Sequence, residues 1–195
     1  MSEDVGPLLA EIRGCRACAD HLAAGPRPIV QFGRQARILI IGQAPGSRVH
    51  ASGAPWDDAS GDRLRAWTGI ARDAFYDPER VALVPMGFCY PGKGKSGDLP
   101  PRRECAPLWH ERMLATMPDC RLFLLVGSYA QAHYLGTGNL TEAVKAFRTH
   151  GSAFFPLPHP SWRSGIWMKR NPWFETDVLP ALRAAVRKAL GGKKR

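Results

Sequence analysis

The sequence contains no apolar run approaching the roughly 20 residues that a membrane-spanning helix needs, and it contains no internal repeat or low-complexity tract. It is short of acid: 17 Asp and Glu stand against 27 Lys and Arg, a formal charge of +10. Cysteine is scarce as well. Five in 195 residues argue against a disulfide framework and toward thiols that bind metal or sit buried. The opening MSEDVGPLLAEIRGC begins acidic and lacks the apolar core of a signal peptide, so the expected location is cytoplasmic. The glycine-rich turn after the first predicted strand has neither a GxxxxGK[ST] nor a GxGxxG pattern, which removes the two commonest phosphate-cradling readings of such a turn.

What is there is ordinary soluble composition, 45% hydrophobic and 23% charged, which excludes global disorder. The length fits one domain over residues 1–195, with 191–195 (Gly-Gly-Lys-Lys-Arg) as a basic tail. A monomer is the default. The excess positive charge fits an anionic partner, most often nucleic acid, or simple solubility, and charge alone does not choose between them.

Along the chain, apolar runs alternate with helical patterns. Ala36–Ile41, Val81–Met86, Leu122–Val126 and Ala153–Leu157 read as buried strands. Helices are expected at Pro7–Cys18, Gly61–Thr68, Arg102–Met117, Ser128–Leu135, Leu140–Phe147 and Val178–Leu190. This alternation predicts an α/β fold: a three-layer α/β/α sandwich around a central, mostly parallel four-stranded sheet. In such sheets ligands bind in the loops beyond the carboxyl ends of the strands. Those loops hold nearly all of the unusual residues.

Three constellations stand out. The first loop, Gly42–Asp62 (GQAPGSRVHASGAPWDDASGD), is rich in glycine. It can bring backbone N–H groups close to an anionic or carbonyl ligand. Within it, Asp57, Asp58 and Asp62 read most simply as a turn and a helix cap. The second is His159-Pro160-Ser161, followed by Trp162–Arg170 (WRSGIWMKR), which mixes bulky apolar and cationic residues. A histidine at a strand end can donate to a developing negative charge, although a lone histidine is more often structural. The apolar residues could wedge into a base stack while Arg and Lys hold phosphates, or they could fold back on the core. Two tryptophans in one loop tip the balance toward nucleic acid. The third is four thiols, Cys15-x2-Cys18 with Cys89 and Cys105, enough to close a tetrahedral zinc site or to hold an iron–sulfur cluster. Cys120 is left over as a small core residue.

Taken in order, these motifs resemble the uracil-DNA glycosylase superfamily, nearest its iron–sulfur branches, families four and five. Family four has an early C-x2-C, a Gly-Glu-Ala-Pro-Gly turn, a Gly-Arg-Pro-Phe stretch, a Cys-x-Pro-Pro-Gly loop with a later Cys, and a late His-Pro motif. The counterparts are Cys15 and Cys18, Gly42–Gly46, Gly53-Ala54-Pro55-Trp56, Cys89-Tyr90-Pro91-Gly92 with Cys105, and His159-Pro160-Ser161. The resemblance implies a DNA repair enzyme that flips a uracil, or another deaminated base, out of DNA and hydrolyses its N-glycosidic bond. It also implies a 4Fe–4S cluster on Cys15, Cys18, Cys89 and Cys105, with structural zinc as the alternative. The runner-up function is a protein that binds uracil-containing or abasic DNA with little or no turnover. A zinc-stabilised nucleic-acid module is remote from the motif order.

The departures from the family fall on its chemistry. The acid of the first motif is Gln43 here, and the next position, an Asp in the best-known branch, is Ala44. Family five also lacks an acid there and has a downstream Gly-Asp-x-Ser-Gly-Asp. Asp57–Asp62 (DDASGD) resembles it and puts Asp58 on that family's catalytic aspartate. The Asn with which family four recognises uracil falls on Pro85. The implied roles are Asp58 beside the sugar and its attacking water, and His159 as donor to the departing base. Gly42, Gln43, Ala44 and Ser161 would contact the base, with Trp56 stacked on it. Arg48, Arg163, Trp167, Lys169 and Arg170 would contact DNA, with Lys93 and Lys95 as weaker candidates.

Overall fold

A computed structural model describes residues 4–191. Of the basic tail expected at 191–195, Gly191 ends the last helix instead, and 192–195 lie outside the described residues. The four apolar runs form the strands β1 Ile38–Ile41, β2 Val81–Leu83, β5 Leu122–Val126 and β6 Phe154–Leu157. They pair in the order β2-β1-β5-β6, every neighbour parallel. Continuous apolar strands suit such a sheet because both faces are covered. Proline is the apparent exception in β6, where Pro156 pairs opposite Leu125. β6 is the sheet edge, where a missing N–H is tolerated.

The period-2 alternation of the strands sorts the core into two layers. Ile38, Ile40, Val81, Leu83, Leu122 and Leu124 face one way and join residues of α3 Ala59–Thr68 and α9 Leu179–Gly191. Leu39, Ile41, Ala82 and Leu125 face the other way, onto α1 Val5–Gly14 and α5 Cys105–Thr116, with Ala130 from α6 Ser128–Leu135. This is the expected α/β/α sandwich, with a sheet that is parallel throughout. The helix expected at Pro7–Cys18 begins earlier and stops at Gly14, and α7 spans Leu140–Lys145.

Elements that the sequence reading missed are all short: α2 Ser47–Ser52, α4 Arg72–Phe75, α8 Ser164–Arg170, and a hairpin of β3 Lys93–Gly94 with β4 Gly97–Asp98. A π turn at Phe174–Val178 leads into α9. No helix among the described residues is long and apolar enough to cross a membrane.

Candidate functional site

β2 and β5 pair on opposite sides of β1, so the chain leaves β1 in one direction for β2 and returns on the other side. That reversal opens a crevice at the carboxyl ends of the strands. All four strands deliver residues to it: Gly42–Gly46 after β1, Pro85 after β2, Tyr129 after β5 and His159 after β6. Together with Trp56, Asp58, Ser161 and the tip of the β3–β4 hairpin they enclose a cavity of about 550 Å³, within the range of small-ligand sites.

The first loop is folded around Trp56. Its backbone is left-handed, with φ of 57°, an unusual conformation for a bulky residue and one that requires support from its surroundings. Two glycines give that support. A Cβ on Gly61 would land on the Trp56 carbonyl, and one on Gly42 would come within 2.7 Å of the indole Cζ2. The Tyr76 hydroxyl donates to the same carbonyl at 3.3 Å. Held in this way, the indole stacks against the His159 ring at a centroid distance of 5.9 Å and 29° between planes.

Asp58 combines the structural and the functional reading. It is the N-cap of α3, its Oδ1 accepting from the Gly61 N–H at 2.9 Å, and its side chain also borders the cavity. The charge of Asp58 acts on His159. Burial holds the His159 pKa below the usual histidine range, and the carboxylates of Asp58 and Asp98 pull it partly back. The ring is therefore mostly neutral at pH 7, able to donate one hydrogen bond without carrying a charge into the site. It makes no hydrogen bond to protein among the described residues, which leaves its polar edge for a ligand.

Behind Pro85 lies a buried relay that sequence reasoning missed. His110 of α5 is 5% exposed, with Nε2 at 3.0 Å from the Pro85 carbonyl and Nδ1 at 2.7 Å from the Tyr134 hydroxyl. A carbonyl can only accept, so Nε2 carries the proton and Tyr134 donates to Nδ1. Burial lowers the His110 pKa to about 4 and raises that of Tyr134 to about 12. The carbonyl of Pro85 is thus turned toward the core, and Pro85 lines the cavity.

The His159 loop is pinned from α3. Arg63 Nη1 donates to the Ser161 carbonyl and, at 3.0 Å, to Ser164 Oγ. Beyond this pin, Trp162 is 73% and Ile166 54% exposed. Arg163 lies over the Trp162 ring at 5.3 Å and donates to the Ser96 carbonyl at 3.1 Å, joining this loop to the hairpin.

Of the residues expected at the site, Gly42, Gln43, Ala44, Trp56, Asp58, His159, Ser161 and Arg163 border one cavity. Arg48, Lys169 and Arg170 are exposed outside it. Trp167, expected to contact DNA, is half-buried on α8. Its Nε1 donates to Thr141 Oγ1 at 2.9 Å, and its ring packs edge-on against Trp173 and Phe174, because Trp167 lies on the side of α8 that faces the core. The exposed tryptophan is Trp162. Asp98 and Tyr129 were not expected at the cavity, and neither carries a motif signal. Arg63 was not expected either, since its partners Ser161 and Ser164 are distant in sequence.

The four cysteines expected to bind metal surround a second, narrow cavity of about 10 Å³ on the far side of the β2 loop. All are free thiols. Burial pushes Cys89 up to about 11 and Cys105 up to about 12, with the neighbouring thiols adding to the effect. Phe88 N–H donates to Cys105 Sγ at 3.3 Å. Among the described residues no three His, Cys, Asp or Glu stand where one metal ion would be held. Two further donors bordering this cavity, Trp109 Nε1 and Arg102 Nε, are buried without a hydrogen-bond partner. Cys120 packs at the edge of the α1–α5 core layer.

A parallel α/β sandwich with an aromatic shelf, a neutral, half-buried histidine and a carboxylate in its crevice defines a small-ligand site of the doubly wound class. The comparison with known families narrows this. Residues 30–183 match the model of the uracil DNA glycosylase superfamily, and the chain belongs to that superfamily. The matched segment includes both large loops, Cys89, Cys105 and His159, and begins after Cys15 and Cys18.

Proposed function

We propose that this protein is a monofunctional uracil-DNA glycosylase that extrudes uracil, or another deaminated base, and hydrolyses its N-glycosidic bond to leave an abasic site. The observation that carries the reading is the convergence of Trp56, Asp58 and His159 on one cavity at the carboxyl ends of the strands. Bond cleavage leaves positive character on the sugar and negative charge on the base. Trp56, fixed by Gly42 and Gly61, supplies a flat apolar face for the flipped base. His159, kept neutral by burial, donates to the base oxygen as charge develops there, and a neutral donor does so without over-stabilising the bound ground state. Asp58, which caps α3 through Oδ1 and borders the cavity, would stabilise the cationic sugar.

DNA would approach across the rim. Trp162 stands out from the loop after His159 and is shaped as a wedge for the space vacated by the base. Exposed Arg48, Lys169 and Arg170 would neutralise phosphates. The +10 charge favours this partner.

The second reading, a protein that binds uracil or abasic DNA with weak turnover, is favoured by Gln43 and Ala44, which leave the first turn without a carboxylate. Incubation with an oligonucleotide carrying one uracil, followed by alkaline cleavage, separates the two. The first reading expects strand scission at the uracil, and retention of the oligonucleotide without scission selects the second.

We propose further that Cys15, Cys18, Cys89 and Cys105 hold a 4Fe–4S cluster. The donor set fits: four unpaired thiols face one cavity, and the orphaned Trp109 Nε1–H and Arg102 Nε–H need acceptors that inorganic sulfide provides. Bound there, the group would tie the end of α1, the loop after β2 and the start of α5 into one knot and would release the thiol protons. Anaerobic purification should give a brown protein containing iron and acid-labile sulfide. A colourless, zinc-loaded or metal-free preparation refutes the assignment.

A further inference from the structure

The turn after β1 lacks the acid that its family pattern carries, yet a carboxylate stands beside it. Asp98, at the end of β4, borders the main cavity, and its Oδ2 lies 3.4 Å from where a Cβ on Gly46 would be. The hairpin is tied to the cavity rim by two contacts. Gln43 Nε2 reaches the Leu99 carbonyl at 3.4 Å and Arg163 donates to the Ser96 carbonyl, while Leu99 N–H closes the hairpin on the Gly92 carbonyl at 2.9 Å. Lys93 pairs opposite Asp98 across the hairpin, and the Tyr90 hydroxyl lies 3.5 Å from its Oδ1. Asp58 likewise has one carboxylate oxygen engaged, in capping α3.

We infer that Asp98 supplies from the hairpin the water-orienting carboxylate that Gln43 and Ala44 cannot provide. The inference rests on the glycosylase reading of the same cavity. The division of labour is then spatial. Asp58 faces the sugar from the α3 side, and Asp98 faces it from above the Gly42–Gly46 turn. In the step, the C1′–N bond breaks with its electron pair leaving on the base, and the oxygen of water bonds to C1′. The proton released by that water passes to the Asp98 carboxylate and then to solvent or the departing base. Base, abasic sugar and one consumed water balance without any oxidant or reductant. The acid has moved from a rigid turn to a short hairpin, where one-residue changes in the loop would shift it relative to the base.

The test uses the full chain under single-turnover conditions on a uracil-containing oligonucleotide, with Asp98→Asn, Asp98→Glu and Asp58→Asn side by side. General-base help of this kind is worth on the order of 100-fold or more. Asp98→Asn should therefore lose about 100-fold in rate, with the oligonucleotide Kd and thermal melting unchanged because the hairpin is exposed. Asp98→Glu should recover part of the loss. An active wild type with Asp98→Asn within threefold of it overturns the role of Asp98 alone. A wild type that releases no base overturns the glycosylase reading and the inference with it.

Discussion

Acidification should weaken the fold through His110, and the size of the effect follows from its surroundings. The ring is buried against Phe88 (centroids 5.8 Å apart, 15° between planes), with both nitrogens engaged by Pro85 and Tyr134. A second proton would leave Nδ1 as a donor facing a hydroxyl that now has to reverse, inside a layer with no counter-charge. The folded pKa is accordingly about 4 against 6.5 in the unfolded chain. A depressed histidine means that the unfolded state binds more protons, so stability is fully present above pH 6.5 and falls as pH drops toward 4. Between pH 7 and pH 5 this one group costs about 2 kcal/mol, and about 3 kcal/mol once both states are protonated. Urea melts of the wild type and of His110→Gln at the two pH values isolate the term, because the carboxylates titrate alike in both proteins. The wild type should lose about 2 kcal/mol more than the variant over that interval. Equal pH slopes would show that His110 is not the buried neutral relay described here, and that the Pro85 carbonyl is not held from behind.

Two further perturbations probe the site. Gly61→Ala forces a methyl onto the Trp56 carbonyl and should cost at least ~2 kcal/mol of stability, with Ser60→Ala at the neighbouring position close to neutral. A Tm unchanged in Gly61→Ala would remove the basis for the fixed Trp56 shelf. On the rim, Lys169→Ala should reduce the slope of log Kobs against log salt by about 1, whereas Trp162→Ala should weaken DNA binding at every salt concentration and leave that slope alone. Identical slopes for the wild type and Lys169→Ala would take Lys169 off the phosphate path.

The sheet was legible because its strands are unbroken apolar runs: Ile38–Ile41 has all four residues buried and admits no other reading once Gly42 and Pro45 close it. The crevice followed from the alternation of strands and helices, since the carboxyl ends collect the loops whatever their sequence. Segment 93–98 was opaque for the opposite reason. Lys-Gly-Lys-Ser-Gly-Asp carries no hydrophobic period, so neither its two-residue strands nor the placement of Asp98 over Gly46 has a local signature. Trp162 and Trp167 looked equivalent in a loop of mixed character. Only the short helix α8, with Trp167 turned onto Phe174 and Trp162 ahead of its first residue, separates the core tryptophan from the exposed one. His110 reads as an unremarkable polar position on an amphipathic helix, and its partners come from sequence-distant Pro85 and Tyr134. For Asp58 the sequence held both answers, a cap and a catalytic carboxylate, and the folded chain places it where it serves as the cap while bordering the cavity.

The most direct test of the account is the product of a single encounter. The protein in excess is mixed with an oligonucleotide carrying one uracil, the free base is measured, and parallel substrates carry hypoxanthine or xanthine. Release of the base with alkali-labile scission at that site, strongly reduced in Asp58→Asn and in His159→Ala, is the predicted result. An oligonucleotide recovered intact with all three bases, although bound by the protein, would contradict the central claim and leave a recognition site without hydrolysis.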